Sequence, residues 1–308
     1  MPIDNQFGPY SQSSTDQLLR EGSSTVSSMR ATVDPNNPPW GLGGALLVWF
    51  LSLAVQIFIP VIFLIPYAFK SGLNPANPDF AKALVDLSLS KTGIFLQIIA
   101  LLPTHVLTFL FVWALVTRFG KYPFLAVIGW SWPPKLGLWR SIGLGCLLFA
   151  GGTAIAHLFG SEKPTMLEQI INSSLAARYT LAVLAVFTAP FVEEFVYRGV
   201  LFAPLQRLAG PVVAGVLTLA LFTGIHVPQY WPNLGVIAAI AFLSLALTIV
   251  RVKTGRLLPC IVIHLVFNGI QSALLLIEPY LSSSAPAPDL THSIIVLTRL
   301  GLFCLYGS

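Results

Sequence analysis

The run Phe191-Val192-Glu193-Glu194-Phe195-Val196-Tyr197-Arg198-Gly199 sets two adjacent carboxylates in a strongly apolar stretch. Ionisable side chains are expensive to bury in such surroundings, so their presence is by default a functional signal. Successive helical residues point about 100 degrees apart, so Glu193 and Glu194 cannot share a face and should have different jobs. Glu194 and Arg198 are four apart, the spacing at which side chains meet, and an ion pair there would neutralise the second carboxylate. Glu193 is then left to face something else. A carboxylate tuned by burial and neighbouring charge can act as a general base toward water. The plainer reading of the same run is a helix-end salt bridge whose charges snorkel to the membrane boundary.

Two further clusters weigh against the plainer reading. Phe222-Thr223-Gly224-Ile225-His226 places an aromatic ring one helical turn before a histidine, and His264-Leu265-Val266-Phe267-Asn268 places an amide one turn after another. The members of each pair share a helix face. A lone histidine in a membrane helix is more often a hydrogen-bonded packing residue, which is the reading given to His105 and His157. His226 and His264 differ because, with Glu193, they come from three separate apolar segments that could converge inside a bundle.

The elements that would hold these residues are membrane helices. The 308 residues are 55% hydrophobic and only 9% charged, against roughly 25% charged in ordinary soluble domains, and a bilayer span needs about 20 mostly apolar residues. Spans are expected at about Leu42–Phe69, Gly93–Val116, Ser141–Gly160, Tyr179–Leu205, Pro211–His226, Leu234–Val250 and Leu257–Ile277. A weaker apolar stretch at Ser293–Tyr306 contains Arg299. The third span is rich in Gly and Ala, which lets neighbouring helices approach closely. A polar loop carrying Pro75, Pro78 and Asp79 precedes the second span, and a polar stretch from Ser161 to Arg178 precedes the fourth. The expected fold is an all-α, polytopic transmembrane bundle of seven or eight helices.

Residues 1–39 are rich in Ser, Thr, Asn, Gln and Pro with no apolar periodicity, which predicts a disordered tail. Residues 40–178 would form the N-terminal transmembrane helices, 179–277 the core that carries the chemistry, and 278–308 a C-terminal loop with a final helix. The net charge of +5 is scattered among loops, so nucleic-acid binding is not suggested. Cys146, Cys260 and Cys304 lie in apolar segments without the paired spacing of a zinc or redox site, and read as small hydrophobes. Basic connections between Arg118 and Arg140 and at Arg251, Lys253 and Arg256 favour an arrangement with the N-terminus inside, in a bacterial cytoplasmic membrane.

Glu-Glu-x-x-x-Arg at Glu193, Glu194 and Arg198, Phe-x-x-x-His at Phe222 and His226, and His-x-x-x-Asn at His264 and Asn268 resemble three ordered motifs of one family. This is the CAAX-protease and bacteriocin-processing family, which includes the type II CAAX prenyl endopeptidases. The resemblance covers about Val183 to Gln271, with Gly255-Arg256-Leu257-Leu258-Pro259 leading into the last motif. It implies an intramembrane glutamic-type endopeptidase whose substrate is a membrane-associated protein or peptide, lipidated or not. Glu193 and His226 would position and deprotonate a water. His264 and Asn268 would donate to the oxyanion, a contribution of about 3 to 4 kcal/mol per donor in other hydrolases. Glu194 and Arg198 would be supporting residues, and Phe222 would pack near His226 without a chemical role.

No cofactor is expected. A zinc held by Glu193, His226 and His264 is the alternative, but the His-Glu-x-x-His spacing is missing and Asn268 makes a better oxyanion donor than zinc ligand. Two other functions compete with the peptidase. One is a proton- or ion-coupled transporter using the same groups, although no inverted repeat is visible. The other is a catalytically idle immunity or regulatory protein that binds a peptide.

Overall fold

The computed structural model describes residues 34–161 and 163–282, and all regular structure among them is helical. In chain order the helices are α1 (Leu42–Lys70), α2 (Phe80–Ser88), α3 (Lys91–Thr117), α4 (Phe124–Val127), α5 (Leu138–Phe159), α6 (Met166–Ser173) and α7 (Leu175–Phe187). They continue as α8 (Ala189–Glu194), a π-helical turn (Phe195–Leu201), α9 (Phe202–Tyr230), α10 (Leu234–Thr254) and α11 (Leu258–Ser282). Six continuous stretches among the described residues are long and apolar enough to cross a membrane.

The fourth stretch, Leu175–Tyr230, has 56 residues, far more than one crossing requires. It is broken at Gly210, whose φ of 78° and ψ of 168° lie in a region essentially reserved for glycine. Pro211 follows and removes a main-chain donor at the same point. The expected fourth and fifth spans are therefore the two arms of this stretch, which gives seven apolar helical segments among the described residues. The apolar segment at Ser293–Tyr306 lies outside the described residues.

Large apolar side chains face outward along the spans, among them Leu47, Phe50, Phe58, Leu147, Val212 and Val216. In water such a surface would drive aggregation, whereas lipid is the solvent that matches it. Inside, α5 packs closely on α10 and α11, and a methyl added at Gly145 would sit 2.8 Å from Val266.

Two sequence expectations need correction. The stretch Ser161–Arg178 is not simply a polar connection, because Thr165 and Glu168 close a reciprocal capping box that starts α6. Ser174 then caps α7 by accepting from the Ala177 N–H, so the fourth span begins at Leu175 rather than Tyr179. Nor does the disordered tail reach residue 39. Asp34–Trp40 packs against the bundle, with Arg251, Arg207 and Arg118 donating to its carbonyls and asparagine side chains. The expected disorder of residues 1–33 lies outside the described residues.

Candidate active site

The Glu193-Glu194 pair sits where α8 passes into the π-helical turn. Thr188 interrupts the preceding helix with φ −126° and ψ −45°, and Pro190 then suits the first turn of α8, where a missing N–H costs nothing. From this short helix the two carboxylates diverge. Glu194 is fully buried, whereas the Glu193 side chain is 23% exposed and lines a cavity of about 510 Å³ together with Phe222, His226, His264 and Asn268.

Glu194 is the hub of a core network. Its Oε1 accepts from Arg198 Nη1 at 3.0 Å and lies 3.0 Å from His264 Nδ1. Arg198 Nη2 donates to the Ser244 carbonyl and hydroxyl at 3.0 and 2.7 Å, and its guanidinium lies over the Phe222 ring, 4.6 Å from the centroid. Two fully buried charges are tolerable only when paired and hydrogen-bonded in this way.

His264 links that network to the cavity. The Glu194 carboxylate can only accept, which makes Nδ1 the donor and turns Nε2 toward Glu193, whose Oε2 is 3.7 Å away. His226 enters from α9 with Nδ1 2.7 Å from the Phe222 carbonyl. A carbonyl also only accepts, so Nδ1 carries the proton, and in the neutral ring Nε2 keeps its lone pair. Asn268 Nδ2 donates one hydrogen to the Ala185 carbonyl at 2.9 Å, which fixes the amide beside α7.

The cavity thus gathers residues from α8, α9 and α11. The expected fifth span ends at His226, but α9 continues to Tyr230, so the ring has a full helical turn beyond it. Phe222 has more than a packing part, since its carbonyl sets the His226 tautomer and its ring seats Arg198. Sequence could not reveal this, because a main-chain carbonyl carries no signature of who bonds to it.

His105, read from sequence as a hydrogen-bonded packing residue, does make such a bond. It lines the same cavity from α3, with Nδ1 2.8 Å from the Thr188 hydroxyl. An isolated histidine in an apolar span gives no pattern to detect. On another side of the cavity, α6 contributes Leu167 and Ile171. Burial pushes the Glu168 carboxyl on that helix up to about 7, although its bonds to Thr165 pull the other way. Among the described residues, no three His, Cys, Asp or Glu side chains are placed to hold a metal ion.

Fold and cavity together define a multi-span membrane protein with a glutamate, two histidines and an asparagine gathered inside an apolar bundle. Residues 175–270 match the family described as Type II CAAX prenyl endopeptidase Rce1-like. All seven motif residues fall within the matched range. No curated protein and no solved structure matches the chain.

Proposed function

We propose that the chain is an intramembrane endopeptidase that hydrolyses a membrane-associated protein or peptide with a glutamate-activated water. The observation that carries this reading is Glu193 Oε2 lying 3.7 Å from His264 Nε2, in one cavity with His226 and Asn268.

In this reading, water sits between Glu193 and the Nε2 lone pair of His226. Glu193 takes one proton, the water oxygen forms a bond to the scissile carbonyl carbon, and the carbonyl π pair becomes the oxyanion. Asn268 has a second Nδ2 hydrogen beyond the one given to Ala185, and it donates that hydrogen to the oxyanion. His264 already donates from Nδ1, so it can add a second donor from Nε2 only when it carries both protons. Collapse of the intermediate breaks the C–N bond, and the proton held by Glu193 passes to the leaving nitrogen.

Hydrolysis of a membrane peptide library by the purified protein tests the proposal. Wild-type protein should cleave, Glu193→Ala and Glu193→Gln should not, and equal rates in all three would overturn the mechanism. Metal independence is part of the reading because Asn268 serves better as oxyanion donor than as metal ligand. Activity should survive exhaustive chelation, and stoichiometric zinc lost together with activity would overturn that part. We also place the end bearing Arg118, Arg207 and Arg251 on the cytoplasmic side. A Lys121→Cys side chain should react with impermeant thiol reagent only from that side.

A further inference from the structure

We propose that Asp34–Trp40 is a built-in strap that sets the rotation of the catalytic helix, acting through two positioning residues, Trp40 and Arg251. The starting point is the π-helical turn directly after Glu194. A π turn leaves main-chain carbonyls without their α-helical donors, and such turns recur at functional sites. Here two carbonyls are affected. In α geometry the Arg198 carbonyl would take the N–H of Phe202, but that N–H is bonded to Tyr197 instead. The α-helical partner of the Val200 carbonyl would be residue 204, which is Pro204 and has no N–H.

Both carbonyls are satisfied from outside the helix. The Trp40 indole Nε1 donates to Val200 at 3.1 Å, and Arg251 Nε donates to Arg198 at 3.1 Å. Arg251 is itself held by the strap, through Nη1 to the Asn36 side chain at 2.8 Å and Nη2 to the Pro35 carbonyl at 3.0 Å. Arg207 ties down the same segment by donating to Asn37, Pro38 and Trp40. Trp40 and Arg251 are 5% and 1% exposed, so these bonds form out of water, where leaving a carbonyl unpaired is costly. Without the Arg251 donor only α geometry returns an N–H to the Arg198 carbonyl, and Trp40 holds the strap that carries Arg251, so loss of the Trp40 donor lets the turn revert toward α geometry. Tightening by one residue rotates what precedes it by about 100 degrees, which carries Glu194 toward the place of Glu193 on the cavity wall and Glu193 toward that of Val192.

The consequence for hydrolysis rests on the peptidase reading, whereas the rotation does not, so the test reads both. Carboxyl labelling by a hydrophobic carbodiimide is followed by mass spectrometry, in parallel with cleavage. Wild-type protein should be modified at Glu193, which lines the cavity, and spared at the buried Glu194. Trp40→Phe keeps the ring and removes the donor. It should lower the Glu193 to Glu194 labelling ratio several-fold and reduce kcat at least about tenfold with little change in KM, as expected of misplaced catalytic groups. Pro204→Ala gives the Val200 carbonyl the α-helical N–H it lacks, so the double variant Trp40→Phe/Pro204→Ala should settle further into α geometry and lower the ratio at least as far as Trp40→Phe. An unchanged ratio in Trp40→Phe, or a wild-type ratio in the double variant, would overturn the strap. Trp139→Phe, at an outward-facing tryptophan, should match wild type throughout, and the same labelling change there would overturn it too. Wild-type protein that labels as expected but cleaves nothing counts against the peptidase reading and leaves the strap supported.

Discussion

Replacing each of two neighbouring glutamates by glutamine should produce opposite failures. Glu194 is fully buried and its Oε1 serves both Arg198 and His264 at 3.0 Å. Glutamine keeps an oxygen there but removes the charge that balances Arg198, which is itself 0% exposed. Removing one partner of a buried pair costs about 3–5 kcal/mol. The amide adds to the difficulty: Oε2 of Glu194 has no hydrogen-bond partner, so an NH2 group in its place would bury two idle donors. At roughly 2–4 °C per kcal/mol, the midpoint of unfolding should fall on the order of 10 °C. Glu193 makes no such bond, and its nearest charge contact is His264 at 3.7 Å. Glu193→Gln should change stability by less than about 1 kcal/mol, within the range of substitutions that break no buried pair. It should nevertheless lower kcat at least about 100-fold by removing the base.

Cys260 supplies the stability assay. It is buried with Sγ donating to the Leu247 carbonyl, so a fluorogenic thiol reagent should report unfolding in detergent once Cys146 and Cys304 are changed to serine. Cleavage is measured on the same preparations. The reasoning is refuted if Glu193→Gln melts as early as Glu194→Gln, or if Glu194→Gln melts with wild type.

Asn268→Ala should lower kcat by about 100- to 1,000-fold, the effect of losing one oxyanion donor, and steady-state cleavage kinetics check it. Phe222→Leu keeps the main-chain carbonyl that orients His226 but loses the ring under Arg198. It should therefore melt earlier than wild type while the pH profile of kcat keeps its shape, and a displaced profile would contradict the tautomer argument. Glu168 carries a carboxyl raised to about 7 by burial, so the folded state holds its proton more tightly than the unfolded chain does. Local stability of α6 is then greatest below the ordinary carboxylate range and falls as pH rises through about 7. Hydrogen exchange over residues 166–173, corrected for intrinsic rates, should lose protection between pH 5.5 and 8 in wild type and stay level in Glu168→Gln.

The spans and the different surroundings of the two glutamates could be read from sequence because lipid imposes length and apolarity, and helical geometry imposes spacing. The i, i+4 relation put Glu194 beside Arg198, and the same relation joined Phe222 to His226. What could not be read depends on main-chain carbonyls and on distant partners. Arg251 looks like one more basic loop residue, yet it is buried, and its partners lie more than 200 residues away at Asn36 and Pro35. The π-helical turn leaves no compositional mark, although Pro204 hints that a donor is missing. The capping box at Thr165 and Glu168 was legible in principle, but a short helix inside a polar stretch has too few apolar residues to announce itself.

Hydrolysis inside a hydrocarbon layer consumes a reactant that the layer scarcely dissolves. The 510 Å³ cavity is many times the roughly 10–15 Å³ that a single water requires, so it has room for several waters. Gln56, Gln229 and Gln271 lie on its wall with the histidines and could wet an otherwise greasy lining. In the proposed hydrolysis, a reservoir of that size would uncouple each turnover from the arrival of fresh solvent. Deuterium oxide should then slow the reaction through proton transfer at Glu193 rather than through delivery of the nucleophile.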